Sequence, residues 1–346
     1  MTKSNPGNFL EDFTPGQRIA HATPRTLTEG DVALNIALTG SRYALFSADS
    51  FAPDCGLPSA PVDPLLVFHT VFGKSVPDIS LNAVANLGYA EGKFLAPVYA
   101  GDTLYAVSEV LGVKQHSNRK TGVVTVRPEG FNQDGAPVLS YVRWVMVNKR
   151  DAASAIADAS AKTPAPALSA SELLLPPGLD FSNYDFELAG SPYAYADYEV
   201  GEKIDHVDGM TVEEAEHQLA TRLYQNTAKV HFDARAQKNS RYGRRLIYGG
   251  VTISLARALA FNGLANAAYL LGVNGGRHVG PLFAGDTLYA WSEVLAKEDL
   301  GQAGALRLRL LAAKKPCASF PAKNDAGEYD PDVVLDFDYW AAIPKR

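Results

Sequence analysis

The side chains whose types and spacing suit chemistry gather between residues 226 and 250. His231 closes the run Asn226-Thr227-Ala228-Lys229-Val230-His231-Phe232-Asp233. Its imidazole titrates near neutrality, which is what a general base needs. A lone histidine is more often structural, so residue type alone does not assign it. Asn226 on its own reads equally well as a residue ending a helix. Asp233, ahead of Ala-Arg-Ala, reads as a helix N-cap, although it could also steer the His231 ring. Tyr248-Gly249-Gly250 opens an apolar run. Free N–H groups at such a helix start, together with the helix dipole, make an oxyanion site; close packing of helix on sheet also wants glycine there. Cations flank the region: Lys229, and Arg241-Tyr242-Gly243-Arg244-Arg245, with Arg42 elsewhere. Each suits an anionic group on a ligand or plain solvent. Other constellations are missing from the sequence: there is no G-x-S-x-G elbow, P-loop or H-E-x-x-H. The glycines of Val273-Asn274-Gly275-Gly276-Arg277 read as a turn before a strand. His69, inside an apolar helical run, reads as a core histidine.

The elements that must position these residues occur twice. Ala96–Leu111 reads APVYAGDTLYAVSEVL and Gly280–Leu295 reads GPLFAGDTLYAWSEVL, an offset of 184. Upstream, Phe13, Gly16, Ile19, His21 and Thr26 match Tyr198, Gly201, Ile204, His206 and Thr211 at offset 185. So long a period means two copies of a domain. We expect a first domain over 1–150, a linker over 151–176 rich in Ala, Ser and Pro, and a second domain over 177–346. Each copy opens with a polar helix, the second through a Thr211/Glu214 capping box. An apolar helix follows, near 62–74 and near 248–262. β-rich runs come next, at 103–113, 122–131 and 137–147, then at 287–296, 304–313 and 333–342. A buried helix before a strand meander predicts an α+β fold, with an antiparallel sheet wrapped around each helix and the two sheets paired edge to edge.

Composition bounds the partners. The 346 residues are 47% hydrophobic and 20% charged, with a net charge of −6, an ordinary globular balance that argues against nucleic acid. The two cysteines, Cys55 and Cys317, lack metal spacing and read as free thiols of a reducing compartment. The N-terminus lacks an apolar signal core and no run is long enough to span a membrane, so a cytoplasmic protein without membrane partners is expected.

The loop ending in His-x-Asp, the glycines opening the buried helix and the A-G-D-T-L turn together resemble the MaoC-like, R-specific enoyl-CoA hydratases. The likeness runs over essentially the whole chain. It implies the double hotdog fold, and a lyase acting on an acyl-CoA, with coenzyme A entering as part of the substrate, no separate cofactor and no metal. It further implies catalysis by Asn226 and His231, with Tyr248, Gly249 and Gly250 forming the oxyanion and substrate site. His231 would act as base and Asn226 would hold the attacking water. Asn226 stands where the family usually has a titrating Asp, which puts a simple Asp/His relay in doubt. Offset 185 sets Ser41 against Asn226 and Phe46 against His231, so the first copy reads as degenerate. Three activities follow as expectations. The first is hydration of an enoyl-CoA bearing a second carboxylate, a mesaconyl thioester, with Lys229, Arg244 or Arg245 gripping that carboxylate. The second is hydration of plain fatty enoyl thioesters on CoA or a carrier protein. The third is a hotdog thioesterase or a non-catalytic acyl-CoA-binding protein. A homo-oligomer, preferably a dimer, is expected.

Overall fold

The computed structural model describes residues 3–156 and 158–346. The first half runs β1 (Arg18–Thr26), α1 (Glu29–Thr39), α2 (Ala44–Ser47), α3 (Pro64–Ser75), β2 (Ala83–Phe94), β3 (Thr103–Gln115), β4 (Thr121–Phe131) and β5 (Pro137–Asn148). The second runs β6 (Lys203–Thr211), α4 (Glu214–Leu223), α5 (Lys229–Phe232), α6 (Ala234–Gln237), α7 (Gly249–Leu259), α8 (Phe261–Leu264), β7 (Tyr269–His278), β8 (Thr287–Asp299), β9 (Gly304–Ala313) and β10 (Val333–Ile343). Six strands expected from alternation are present. In β4 every second residue is buried, which is the signature of one face on a core and one toward water.

All ten strands join one antiparallel sheet in the order β1-β3-β4-β5-β2-β7-β10-β9-β8-β6. The order is a palindrome of the two halves, closed at its centre by β2 against β7, with Tyr89 opposite Gly276 and Lys93 opposite Gly272. This is a double hotdog. α3 packs on β1, β3 and β4, and α7 on β6, β8, β9 and β10. The two buried helices meet where His69 Nε2 and Ser254 Oγ lie 2.9 Å apart, a pair separated by the repeat offset itself.

The shared motifs are mostly scaffold. Gly101 and Gly285 take φ of 101° and 91°, a left-handed turn that suits glycine. Beside them Asp102 and Asp286 accept the Tyr99 and Phe283 amides. The repeated histidines pair with the repeated serines, His21 with Ser108 at 2.7 Å and His206 with Ser292 at 2.8 Å.

Two expectations need correction. Gly275 and Gly276 lie inside β7, not in a turn; a Cβ on Gly276 would stand 2.8 Å from the Tyr89 ring across the central strand pair, so glycine lets the halves close. The Thr211/Glu214 box does not form. Thr211 Oγ1 is engaged with Thr287 Oγ1 at 2.7 Å, and α4 starts after Glu213. The segment expected as a linker, 151–176, lies docked along the sheet: Ala159 bridges Val113, Leu168 N donates to Asn274 Oδ1, and Leu168 and Leu173 are buried. No helix among the described residues is long and apolar enough to cross a membrane.

Candidate active site

The site is built where α4 gives out. Gln225 takes a left-handed φ of 52°, and the Asn226 amide returns to the Thr221 carbonyl. Asn226 Oδ1 then accepts the Ala228 N–H at 2.9 Å, turning the chain into the short helix α5 that carries His231. His231 Nδ1 donates to the Leu246 carbonyl at 3.0 Å, and the Leu246 amide donates back to Val230. This pairing fixes the tautomer: the proton sits on Nδ1 and Nε2 is left basic. The Tyr248 amide donates to His217 Nε2 at 3.2 Å, which sets the angle at which the chain enters α7.

A cavity of about 340 Å³ is lined by Asn226, His231, Tyr248 and Gly249 from the second half and by Phe72, Val76 and Tyr89 from the first. The first ladder bonds of α7 run from Val251 and Thr252 to the Tyr248 carbonyl, so the Gly249 and Gly250 amides lie ahead of the ladder. They differ in place. Gly249 lines the cavity, whereas a Cβ on Gly250 would meet the Tyr248 ring at 2.3 Å and His69 Nδ1 at 2.6 Å, a packing glycine.

The expected cations are elsewhere. Arg245 pairs with Glu214 and donates to the Phe232 carbonyl. Arg244 is exposed and lies 3.8 Å over the Phe283 ring. Lys229 is exposed at the start of α5. None of the three lines the cavity. Asp233 caps α6 by accepting the Ala236 amide, so it holds a helix rather than the His231 ring. His278, at the end of β7, lines the cavity instead, and a Cβ on Gly249 would lie 2.2 Å from its Nε2. A lone histidine after a glycine-rich strand carried no pattern to single it out.

At the corresponding places the first half carries different groups. Phe46 is buried against Tyr269, and Arg42 lies 4.5 Å over the Phe261 ring. Pro64, where Gly249 stands in the second half, has no N–H to offer. The next amide, Leu65, is taken by the Asp63 carboxylate at 2.8 Å. The entrance of α3 therefore holds an anion of its own and cannot stabilise another.

Burial pushes the His231 pKa down to about 4, with the Leu246 carbonyl pulling the other way. His278 falls to about 4 through burial and then His231; His206 falls to about 4, and His69 and His217 to about 3, again mainly through burial. A neutral His231 at physiological pH is the state a base requires. These depressed values also set acid stability. Between the ordinary 6.5 and about 4 the unfolded chain binds protons that the folded chain refuses, so stability rises with pH across that window and is lost as pH falls through it. Thermal melts from pH 7 to pH 4 are expected to show a steep fall in Tm below about pH 6; a flat Tm down to pH 4.5 would mean these rings are protonated in the fold.

A family model described as mesaconyl-CoA hydratase matches residues 2–316. A mesaconyl-CoA hydratase of Cereibacter sphaeroides is 58% identical over 345 residues, covering 99% of this chain and 100% of the relative. A beta-methylmalyl-CoA dehydratase of Chloroflexus aurantiacus is 56% identical over 348 residues, covering 99% of each chain. A solved MaoC domain protein dehydratase from Chloroflexus aurantiacus J-10-fl superposes with a TM-score of 0.98 at 56% identity, covering 100% of both chains.

Proposed function

The chain belongs to the mesaconyl-CoA hydratase family, and on that premise we propose that it hydrates mesaconyl-CoA reversibly to β-methylmalyl-CoA at the cavity around His231. The observation that carries the reading is a tautomer-fixed His231 beside the Gly249 amide at the mouth of α7. His231 Nε2 takes a proton from water as the water oxygen bonds to the β-carbon. The π pair moves to the α-carbon, and charge develops on the thioester oxygen, where the Gly249 N–H and the α7 dipole hold it. The imidazolium returns the proton to the α-carbon. Water has been added and His231 is neutral again. The Asn226 NH₂ donates to the water oxygen and aims it, with Oδ1 pinned by Ala228. Coenzyme A enters as part of the substrate, and the proton transfers balance without a further group. The two free thiols, Cys55 and Cys317, suit a cytoplasmic setting, and we take the assembly to be a homodimer.

Asn226→Ala is expected to lower kcat by about 10-fold to 10²-fold with less effect on KM, as loss of a water-positioning group does. Asn226→Asp keeps the acceptor for Ala228 and is expected to retain most activity; inactivity of the folded Asp variant would show that the amide NH₂ is indispensable. The reaction itself is tested by following loss of conjugated absorbance with mesaconyl-CoA and with crotonyl-CoA. Faster turnover of crotonyl-CoA would favour a plain enoyl-thioester hydratase, and release of free CoA thiol a thioesterase.

A further inference from the structure

We propose that Arg143, on β5 of the half without its own catalytic residues, is the cation that grips the second carboxylate of the substrate. The inference rests on the proposed mesaconyl-CoA reaction. Arg143 is wholly buried, and its guanidinium Cζ lies 4.2 Å over the Phe72 ring. Nη2 donates to Ser75 Oγ at 2.8 Å, while Nε and Nη1 are buried without a partner. The ionisable groups acting on it are Tyr141, Tyr89 and Tyr248, and no carboxylate is among them.

An unpaired buried charge is unfavourable, and arginine cannot shed it by deprotonating. The half-buried Arg307 and Arg309 meet Asp338 and Asp336 on β10. Arg257 is buried with the same two nitrogens unpartnered, but its Nη2 donates to two carbonyls, of Ala267 and Ala268, and the rings it stacks on, Tyr43 and Tyr339, do not line the catalytic cavity. Stacking on Phe72 offsets part of the cost at Arg143 and supplies no anion. Nη2 has a second N–H besides the one given to Ser75, and beside the unpartnered Nε or Nη1 it presents the fork that a carboxylate fits.

The place is right. Phe72, Tyr89 and Tyr248 all line the catalytic cavity, and Phe72 is the ring beneath Arg143. From His231 the step to the Tyr248 ring is 5.3 Å, and from Tyr248 to Phe72 5.6 Å. The Tyr248 hydroxyl, also buried without a partner, supplies a further donor on the way. In β-methylmalyl-CoA the second carboxylate is bonded to the carbon that receives the water. It must therefore lie beside the reacting centre, deeper than the thioester. Arg143 does not itself line the cavity; the Phe72 ring, which does, lies against its guanidinium, and for the carboxylate to reach Arg143 that ring must change rotamer when the substrate binds. Lys229 and Arg244 are exposed, so water satisfies them and neither needs an anion.

The test measures kcat/KM for mesaconyl-CoA and for crotonyl-CoA, which lacks the second carboxylate, on wild type, Arg143→Met and Arg143→Lys. The ratio of the two is read, because it does not depend on the fraction of active protein. The ratio is expected to fall about 10²-fold in Arg143→Met, from loss of a charge-assisted bidentate bond. Crotonyl-CoA is expected to be used better than by wild type, and Tm to be no lower, since an unpaired buried charge has gone. Arg143→Lys keeps the charge without the fork and should fall between; if Arg143→Met does not fold, the Lys ratio decides. A wild type that prefers mesaconyl-CoA, with the ratio unchanged in the folded variants, overturns the role of Arg143 alone. A wild type that does not turn over mesaconyl-CoA overturns the proposed reaction itself.

Discussion

Replacing His231 by alanine is expected to cut turnover by about 10² to 10⁴-fold, the usual contribution of a positioned general base. Two other histidines approach this ring or cavity, and neither is placed to substitute. His217 spends Nε2 accepting the Tyr248 amide, so its lone pair is already used. His278 Nε2 lies 3.5 Å from the Tyr89 hydroxyl and stands over Gly249, the residue proposed to hold the thioester oxygen rather than the attacking water. The fold should survive: Leu246 N still bonds the Val230 carbonyl, so the loop keeps its return to α5. Removing a half-buried ring of low pKa should even raise the melting temperature at pH 5 relative to wild type, by the same linkage that makes the native chain acid-sensitive. The acid limb of wild-type kcat/KM is expected near the depressed value of about 4, so that activity holds from neutrality down to mildly acidic pH. A folded His231→Ala protein with a near-native rate would sink the mechanism.

How much of this the bare sequence revealed depends on the range of the interactions involved. The duplication, six of the strands and both buried helices were readable because their signals are local: alternation, turn glycines and an apolar run. β1, β6, β2 and β7 were missed. β2 carries two interior glycines, Gly88 and Gly92, and β7 three, Gly272, Gly275 and Gly276. These look like breakers along the chain, yet they are demanded by a partner strand far away in sequence. Asn226, His231 and Gly249 lie in one short stretch and converge on one cavity. The cations failed for a complementary reason. Lys229, Arg244 and Arg245 are close to His231 in sequence, but side-chain direction and the Glu214 partner take them away from the cavity. Arg143 and His278 reach the same region from strands, where nothing in their neighbours marks them. That the first half carries no Asn or His at the matching places was legible at Ser41 and Phe46. Its second lock, Asp63 with Pro64, needed the coordinates to show which amide the carboxylate takes.

That second lock yields the other large effect. Gly249→Pro writes the first half's Pro64 into the working half, and is expected to lower kcat by about 10² to 10³-fold beyond Gly249→Ala, the range for loss of one oxyanion donor. The backbone should accept it. Proline is at home in the first position of a helix, and Tyr248, at φ −62° and ψ 131°, already has the extended conformation that a residue before proline prefers. Asp63 precedes Pro64 with nearly the same geometry, φ −51° and ψ 125°. The side chain is the complication. Any Cβ at 249 comes within 2.2 Å of His278 Nε2, so alanine and proline both disturb that ring. The comparison is therefore made in a His278→Ala background, which removes the clash and leaves the amide as the difference between the two variants. In that background Gly249→Ala should recover most of the parent rate, and Gly249→Pro should not. Acyl-CoA binding should change less than kcat, because the donor matters most when charge has moved onto the thioester oxygen. Equal rates for the Ala and Pro variants, both folded by circular dichroism, would remove the Gly249 amide from the mechanism and leave the α7 dipole to hold the developing charge alone.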